Sequence, residues 1–345
     1  MTTILEALNA ALLDALGADP SVVLMGEDIL DPYGGAFKVT RGCSDAYPDR
    51  VIPTPISEAG LAGIAAGMAL RGMRPVLEIM FGDFSTLLAD QIINHMTKFR
   101  WMYNDSVELP LVIRAPMGGR RGYGPTHSQS LEKLYLGVPG LTVLAPASIK
   151  VLPGSKDGPG MLLERTILET NSPVLFVENK LQYLQNVQEP AALDEFEVQV
   201  TFDPDDISKR YPVYHLAVRG ASQASVTLTA YGAMADLAME AMYRLAYEHE
   251  IFTDLVIPTR LAPFNIDSLL DNVKRSGRLL TIEEGTLSLG WGAEVLARAA
   301  QALGKDLRAA ARVAALDLPV PASLALEKQM LPQVDTIIEQ VRKMV

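Results

Sequence analysis

Two rhythms of apolar residues run along the chain. Continuous apolar stretches occupy residues 21–25, 75–80, 110–115, 140–145 and 173–178, and again 224–231, 252–257, 278–282 and 312–316. Runs this short and this unbroken predict strands buried on both faces, as in parallel sheets. Between them apolar positions recur at helical spacing in 3–16, 86–103, 293–303 and 331–341, with a further helix ending near His249. Strand and helix in alternation predict an α/β fold, each domain a parallel sheet layered between helices. From about residue 182 to 214 the pattern turns polar, with Asp203, Asp205 and Asp206 around Pro204. That break predicts a first domain over 1–185, a linker over 186–213 and a second domain over 214–345.

One helix departs from the rest. Glu58 stands at its entrance, and Gly60, Ala62, Gly63, Ala65, Ala66, Gly67 and Ala69 follow. Small side chains at this density let a neighbouring backbone approach closely, at a cost in helix propensity for each glycine. The carboxylate has two readings, a cap favoured by the helix dipole or a buried catalytic group. The strand at 75–80 then delivers Met80 into an aromatic turn, Phe81-Gly82-Asp83-Phe84. A second candidate is His127, at the end of a loop over 116–130 that packs four glycines into residues 118–124. A lone histidine can be structural or catalytic, and the loop's free backbone suits approach to a ligand.

Composition narrows the classes. A net charge of −11 in 345 residues excludes a protein that wraps a phosphate backbone. The single Cys43 precludes an internal disulfide and fits a reducing compartment. No apolar run is long enough to span a bilayer and the first residues read as a helix, so the expectation is a cytoplasmic protein without membrane contact. Metal-ligand spacing, a G-x-S-x-G elbow and a phosphate loop are all missing from the sequence. The second half offers Glu283 and Glu284 at a strand end but no nucleophile beside them, and is expected to serve assembly.

In order along the chain, Gly26-Glu-Asp-Ile29, Gly34-Gly-Ala-Phe-Lys-Val-Thr-Arg-Gly42, Pro55-Ile-Ser-Glu-Ala-Gly60, His127-Ser-Gln-Ser130, Pro139-Gly-Leu-Thr-Val143, Tyr231-Gly232 and Ile282-Glu-Glu-Gly285 form a set. The set resembles the β subunit of thiamine-diphosphate-dependent 2-oxo acid dehydrogenase E1 components, of the pyruvate, branched-chain or acetoin type. The resemblance implies a pyrimidine-binding domain followed by a transketolase C-terminal domain. It implies that Glu58 meets N1′ of the cofactor's pyrimidine, that Phe84 stacks on that ring and Met80 lines its pocket, and that His127 contacts substrate carboxylate or lipoyl group. It further implies an α subunit in an α₂β₂ heterotetramer, a lipoyl-bearing E2 acyltransferase and a small 2-oxo acid substrate. A split transketolase and a non-catalytic scaffold of the same fold are the alternatives.

Three departures from the family pattern stand out. Met102-Tyr-Asn-Asp105 replaces a small turn, Arg120 and Arg121 occupy the histidine loop, and residues 152–161 look inserted where some members bind a monovalent cation. The arginines would favour an acidic or phosphorylated substrate or partner if they face the site, and are solvated otherwise.

The superfamily's Gly-Asp-Gly motif with its later Asn, which holds diphosphate and Mg²⁺, is missing from the sequence. The resemblance therefore assigns diphosphate and Mg²⁺ to the α subunit. The isolated chain should bind thiamine diphosphate poorly. Calorimetric titration with cofactor and Mg²⁺ checks this, and micromolar affinity without a partner would contradict it.

Overall fold

Thr3 opens the first helix with a capping box: its hydroxyl accepts from the Glu6 amide at 3.2 Å, and the Glu6 carboxylate accepts from the Thr3 amide at 2.8 Å. The helix that follows, Ile4–Ala18, buries Leu8, Leu12 and Leu16 on one stripe and feeds the first strand. The computed structural model describes residues 1–221 and 223–345. The first sheet contains β1 (Val22–Gly26), β2 (Val51–Pro53), β3 (Arg74–Glu78), β4 (Val112–Met117), β5 (Thr142–Leu144) and β6 (Val174–Asn179). The second contains β7 (Phe196–Phe202), β8 (Pro212–Val218), β9 (Val226–Ala230) and β10 (Thr253–Pro258). A short β11 (Arg260–Ala262) precedes its last members, β12 (Arg278–Thr286) and β13 (Ala309–Ala315).

The sheet orders are β11-β5-β6-β4-β3-β1-β2 and β13-β12-β9-β10-β8-β7. Both are mainly parallel, as the unbroken apolar runs required. The exceptions are informative. β7 and β8 pair antiparallel within 186–218, so the polar segment is not a plain linker. Its sequence, Phe-Glu-Val-Gln-Val-Thr-Phe, alternates with period two, the pattern of an edge strand with one wet face. β11 belongs by position to the second half but pairs antiparallel with β5 of the first sheet. Arg260 at its start forks onto Asp203, so the acidic turn at 203–206 is an anchor.

The helical stretch over 86–103 is also broken. Gly82–Leu88 is a 3₁₀ segment, Gln91–Met96 a π-helix and Thr97–Met102 an α-helix. The Thr97 hydroxyl donates back to the carbonyls of Ile92 and Ile93, which supports the wide turn. Asn104 and Asp105 then take left-handed conformations, and Asp105 pairs with Arg100 at 2.9 Å. In the apparent insertion, Asp157 accepts from the amides of Val151 and Leu152, each at 2.8 Å, ahead of helix Pro159–Glu169.

The core is continuous across the two sheets. Leu88, Ile92 and Tyr135 share one cluster with Tyr231, Leu261, Phe264 and Trp291. Inside the first sheet lies one charge with no access to water. Arg114 on β4 ion-pairs with Glu78 on β3 and forks onto Glu178 on β6 at 2.7 Å for both contacts. Tyr183 donates to the same Glu178 at 2.5 Å. Burial pushes the Glu78 carboxyl up, and the Arg114 charge opposes that shift. Arg114→Ala would leave two carboxylates buried without their cation. Urea unfolding should register a loss of about 3–5 kcal/mol; a loss under about 1 kcal/mol would show the triad to be energetically idle.

Candidate active site

β1, β3 and β4 are neighbours, so the loops leaving their carboxyl ends emerge side by side, where open α/β sheets bind ligands. Helix Glu58–Leu70 packs against the 3₁₀ and π segments that follow β3. Its N-cap is Ser57, which makes no side-chain cap bond. Glu58 is 7% exposed, and no hydrogen bond to its carboxylate is found among the described residues. It is not a capping carboxylate. Glu27, just past β1 in the Gly26–Ile29 motif, feels the Glu58 charge. Glu27 Oε1 is buried and has no partner among the described residues. Burial first, and then the Glu58 charge, push the Glu27 carboxyl up.

Met80 and Phe84 are half-buried past the end of β3. Gly82 between them permits a close approach to the next strand, since a Cβ there would stand 2.2 Å from Met117 Cγ. Phe84 meets the His127 ring edge-on at 5.4 Å and Phe81 meets it at 4.7 Å, both near perpendicular. Thr126 Oγ1 engages His127 Nδ1 at 2.9 Å, which leaves Nε2 without a partner among the described residues. The structure thus brings Phe84 and His127 together, and seats Glu58 on a helix packed against the segment that carries Phe84.

Sequence reasoning passed over Lys180. It follows β6, is fully buried, and donates to the His127 carbonyl at 2.5 Å. Its ammonium lies 5.1 Å from the Phe81 ring centre and 5.9 Å from that of Tyr123. Burial pulls its pKa down to about 8, against the charges of Asp83 and Glu284. Asp83 holds the far side of the loop by accepting from the Gln129 amide and side chain at 3.2 and 2.9 Å.

The two arginines of the loop are tied inward. Arg121 donates to the Lys180 carbonyl at 2.6 Å, and Arg120 to the Pro332 carbonyl at 2.6 Å. Glu283 accepts from the amides of Trp291 and Gly292, and burial pushes it up to about 7. Glu284 turns instead to the loop, accepting from Gly119 at 2.6 Å.

The candidate residues line no large cleft of this chain. Two large clefts, of about 640 and 680 Å³, lie elsewhere and are lined by none of Glu58, Met80, Phe84 or His127. Apolar side chains are exposed before, along and beyond the helix that Glu58 opens, Ile56 at 82%, Ile64 at 58% and Leu87 at 54%, and Gly60, Gly63 and Gly67 of that helix are exposed as well. Among the described residues no helix is long and apolar enough to cross a membrane.

Two mainly parallel sheets in tandem, with acidic and aromatic groups at the carboxyl ends of the first, define a transketolase-type chain. Residues 1–185 match the transketolase pyrimidine binding domain and residues 216–337 the transketolase C-terminal domain. The chain is similar to the mitochondrial pyruvate dehydrogenase E1 component subunit beta-2 of Oryza sativa subsp. japonica, 35% identical over 99% of this chain and 85% of that protein. It is 32% identical to the 3-methyl-2-oxobutanoate dehydrogenase subunit beta of Mycobacterium tuberculosis, over 99% of this chain and 91% of the relative. The pyruvate dehydrogenase E1 component subunit beta of Rickettsia bellii is also 32% identical, over 99% and 98%. A solved split-gene transketolase, described as an inactive beta4 tetramer, superposes with a TM-score of 0.72 over 99% of this chain and 97% of its own; at 20% identity it speaks to the fold alone. The chain belongs to the β-subunit family of 2-oxo acid dehydrogenase E1 components.

The buried lysine generates a pH test. With its folded pKa below the ordinary lysine value of 10.5, Lys180 binds fewer protons folded than unfolded between pH 8 and 10.5. Stability therefore rises with pH across that window. Relative to Lys180→Gln, wild type should gain on the order of 2–3 kcal/mol between pH 7.5 and 10.5, read from paired urea midpoints. The opposite trend would mean that Asp83 and Glu284 outweigh desolvation.

Proposed function

We propose that this chain works with an E1 α subunit to decarboxylate a small 2-oxo acid and pass the acyl group to the lipoyl arm of an E2 acyltransferase. The observation that carries the reading is Glu58, a buried carboxylate at the entrance of a helix it does not cap, at the ligand-binding edge of the sheet. A pyrimidine ring fits these residues: a hydrogen-bonding carboxyl for a ring nitrogen, Phe84 for a ring face, and Met80 as a soft wall. Glu58, Met80 and Phe84 would therefore hold the pyrimidine half of thiamine diphosphate. When bound, that cofactor supplies the nucleophilic carbon and electron sink that loss of CO₂ requires.

Glu58 would hold a proton at pyrimidine N1′ and so raise the basicity of the ring's exocyclic nitrogen. Glu27, whose buried Oε1 has no partner among the described residues and whose carboxyl is pushed up in part by the Glu58 charge, would share that proton. His127, steadied by Phe81, Phe84 and Thr126, would use Nε2 to bind the substrate carboxylate or the incoming lipoyl group.

Two features support a partner over the site. The sequence carries only the pyrimidine-side motif, so diphosphate and Mg²⁺ fall to the α subunit. The exposed Ile56, Ile64 and Leu87, before, along and beyond a glycine-rich helix, suit a covering protein surface. The α₂β₂ heterotetramer is the assembly we assign, and the buried, unpaired Cys43 fits the cytoplasm.

Glu58→Gln keeps shape and hydrogen-bonding capacity but cannot exchange a proton with N1′. In the reconstituted αβ complex, turnover of 2-oxo acids should drop roughly 10²–10⁴-fold, and NMR should show slowed C2–H exchange of the bound cofactor. Undiminished exchange in a properly assembled variant would remove Glu58 from the chemistry.

A further inference from the structure

The loop that carries His127 turns its backbone amides inward. Gly118, Arg120, Gly122 and Gly124 have φ of +95°, +70°, +69° and +79°, and alternating handedness of this kind makes a concavity of N–H groups that receives anions. Carboxylates of the C-terminal half fill it. Glu284 on β12 takes the Gly119 amide. Glu327, on helix Leu324–Met330, takes the Arg120 amide on Oε1 at 2.7 Å and the Gly122 amide on Oε2 at 3.1 Å.

Glu327 is 1% exposed, so these bonds form away from water. The fit is close: a Cβ on Gly119 would stand 2.8 Å from Glu327 Oε1 and 2.7 Å from Leu331 Cδ1. Arg120 is also the one non-glycine among the positive-φ residues of this loop, a conformation that persists only where the surroundings impose it.

From there a circuit of contacts reaches the histidine. Glu327 fixes residues 120–122, Arg121 holds the Lys180 carbonyl, and Lys180 holds the His127 carbonyl. We propose that Glu327 is a positioning residue for His127, the means by which the C-terminal half sets the shape of the active-site loop. The role of His127 rests on the function proposed above; the clamp itself is a property of this chain alone.

Hydrogen exchange over residues 118–125 in the assembled αβ complex tests it. In wild type the amides of Gly119, Arg120 and Gly122 should be protected although they belong to a loop. Glu327→Gln puts an NH₂ against one of the two amides, and exchange should quicken about tenfold or more, since bonds to a charged acceptor are the stronger kind. Gly119→Ala acts from the loop side and should do the same if Glu327→Gln folds poorly.

Both variants should lose acyl transfer to the lipoyl acceptor and retain the C2–H exchange that depends on Glu58. A purely structural role would lower the two together. Unprotected amides in wild type, or protection and acyl transfer unchanged in both variants, would overturn the proposal. Loop protection reports on the clamp and wild-type turnover on the assigned reaction, so the two can fail separately.

Discussion

A guanidinium sealed from water must be fully matched by charge and hydrogen bonds, and Arg114 is matched by carboxylates on the strands either side of it. Its position explains more of the molecule than its contribution to stability does. Glu78 lies opposite Arg114 across β3 and β4, and Glu178 on β6 lies two residues further along, opposite Pro116, on the same face. Met80 and Phe84 follow the first, the histidine loop the second, and Lys180 the third. The triad therefore fixes the relative height at which three site-forming segments leave the sheet. A strand slip of one residue would turn one of the charged groups to the other face and leave its partner unpaired.

Much of this architecture is legible in the sequence because parallel strands announce themselves as unbroken apolar runs. β1, β3, β4, β6, β9, β10 and β12 all fall on predicted runs. The elements that escaped have weaker or different signals. β7 is polar on one face, β11 has three residues, and helix Leu324–Met330 is too short for its periodicity to stand out. The polar composition of 186–213 masks a strand whose period-two alternation was there to be read.

The site divides the same way. Glu58 is conspicuous because a charge among alanines and glycines needs a reason, and His127 because a glycine-rich loop precedes it. Lys180 and Glu327 are invisible locally. Lys180 meets a carbonyl 53 residues away and Glu327 an amide 205 residues away, so only the folded chain brings either to the loop. Arg120 and Arg121 show the converse. As sequence they suggest an acidic ligand, and in the fold their guanidinium groups are engaged with backbone carbonyls of this chain.

β11 has a consequence for how the chain is made. Among the described residues the outer edge of β5 is paired by Arg260–Ala262 alone, so a ribosome that has delivered β1 to β6 has still left one border of their sheet bare. Until the later residues emerge, that border offers unpaired backbone groups to any neighbouring nascent chain. The two halves are thus ordered in time as well as in space. The first is translated first, but its sheet is complete only after much of the second has left the ribosome.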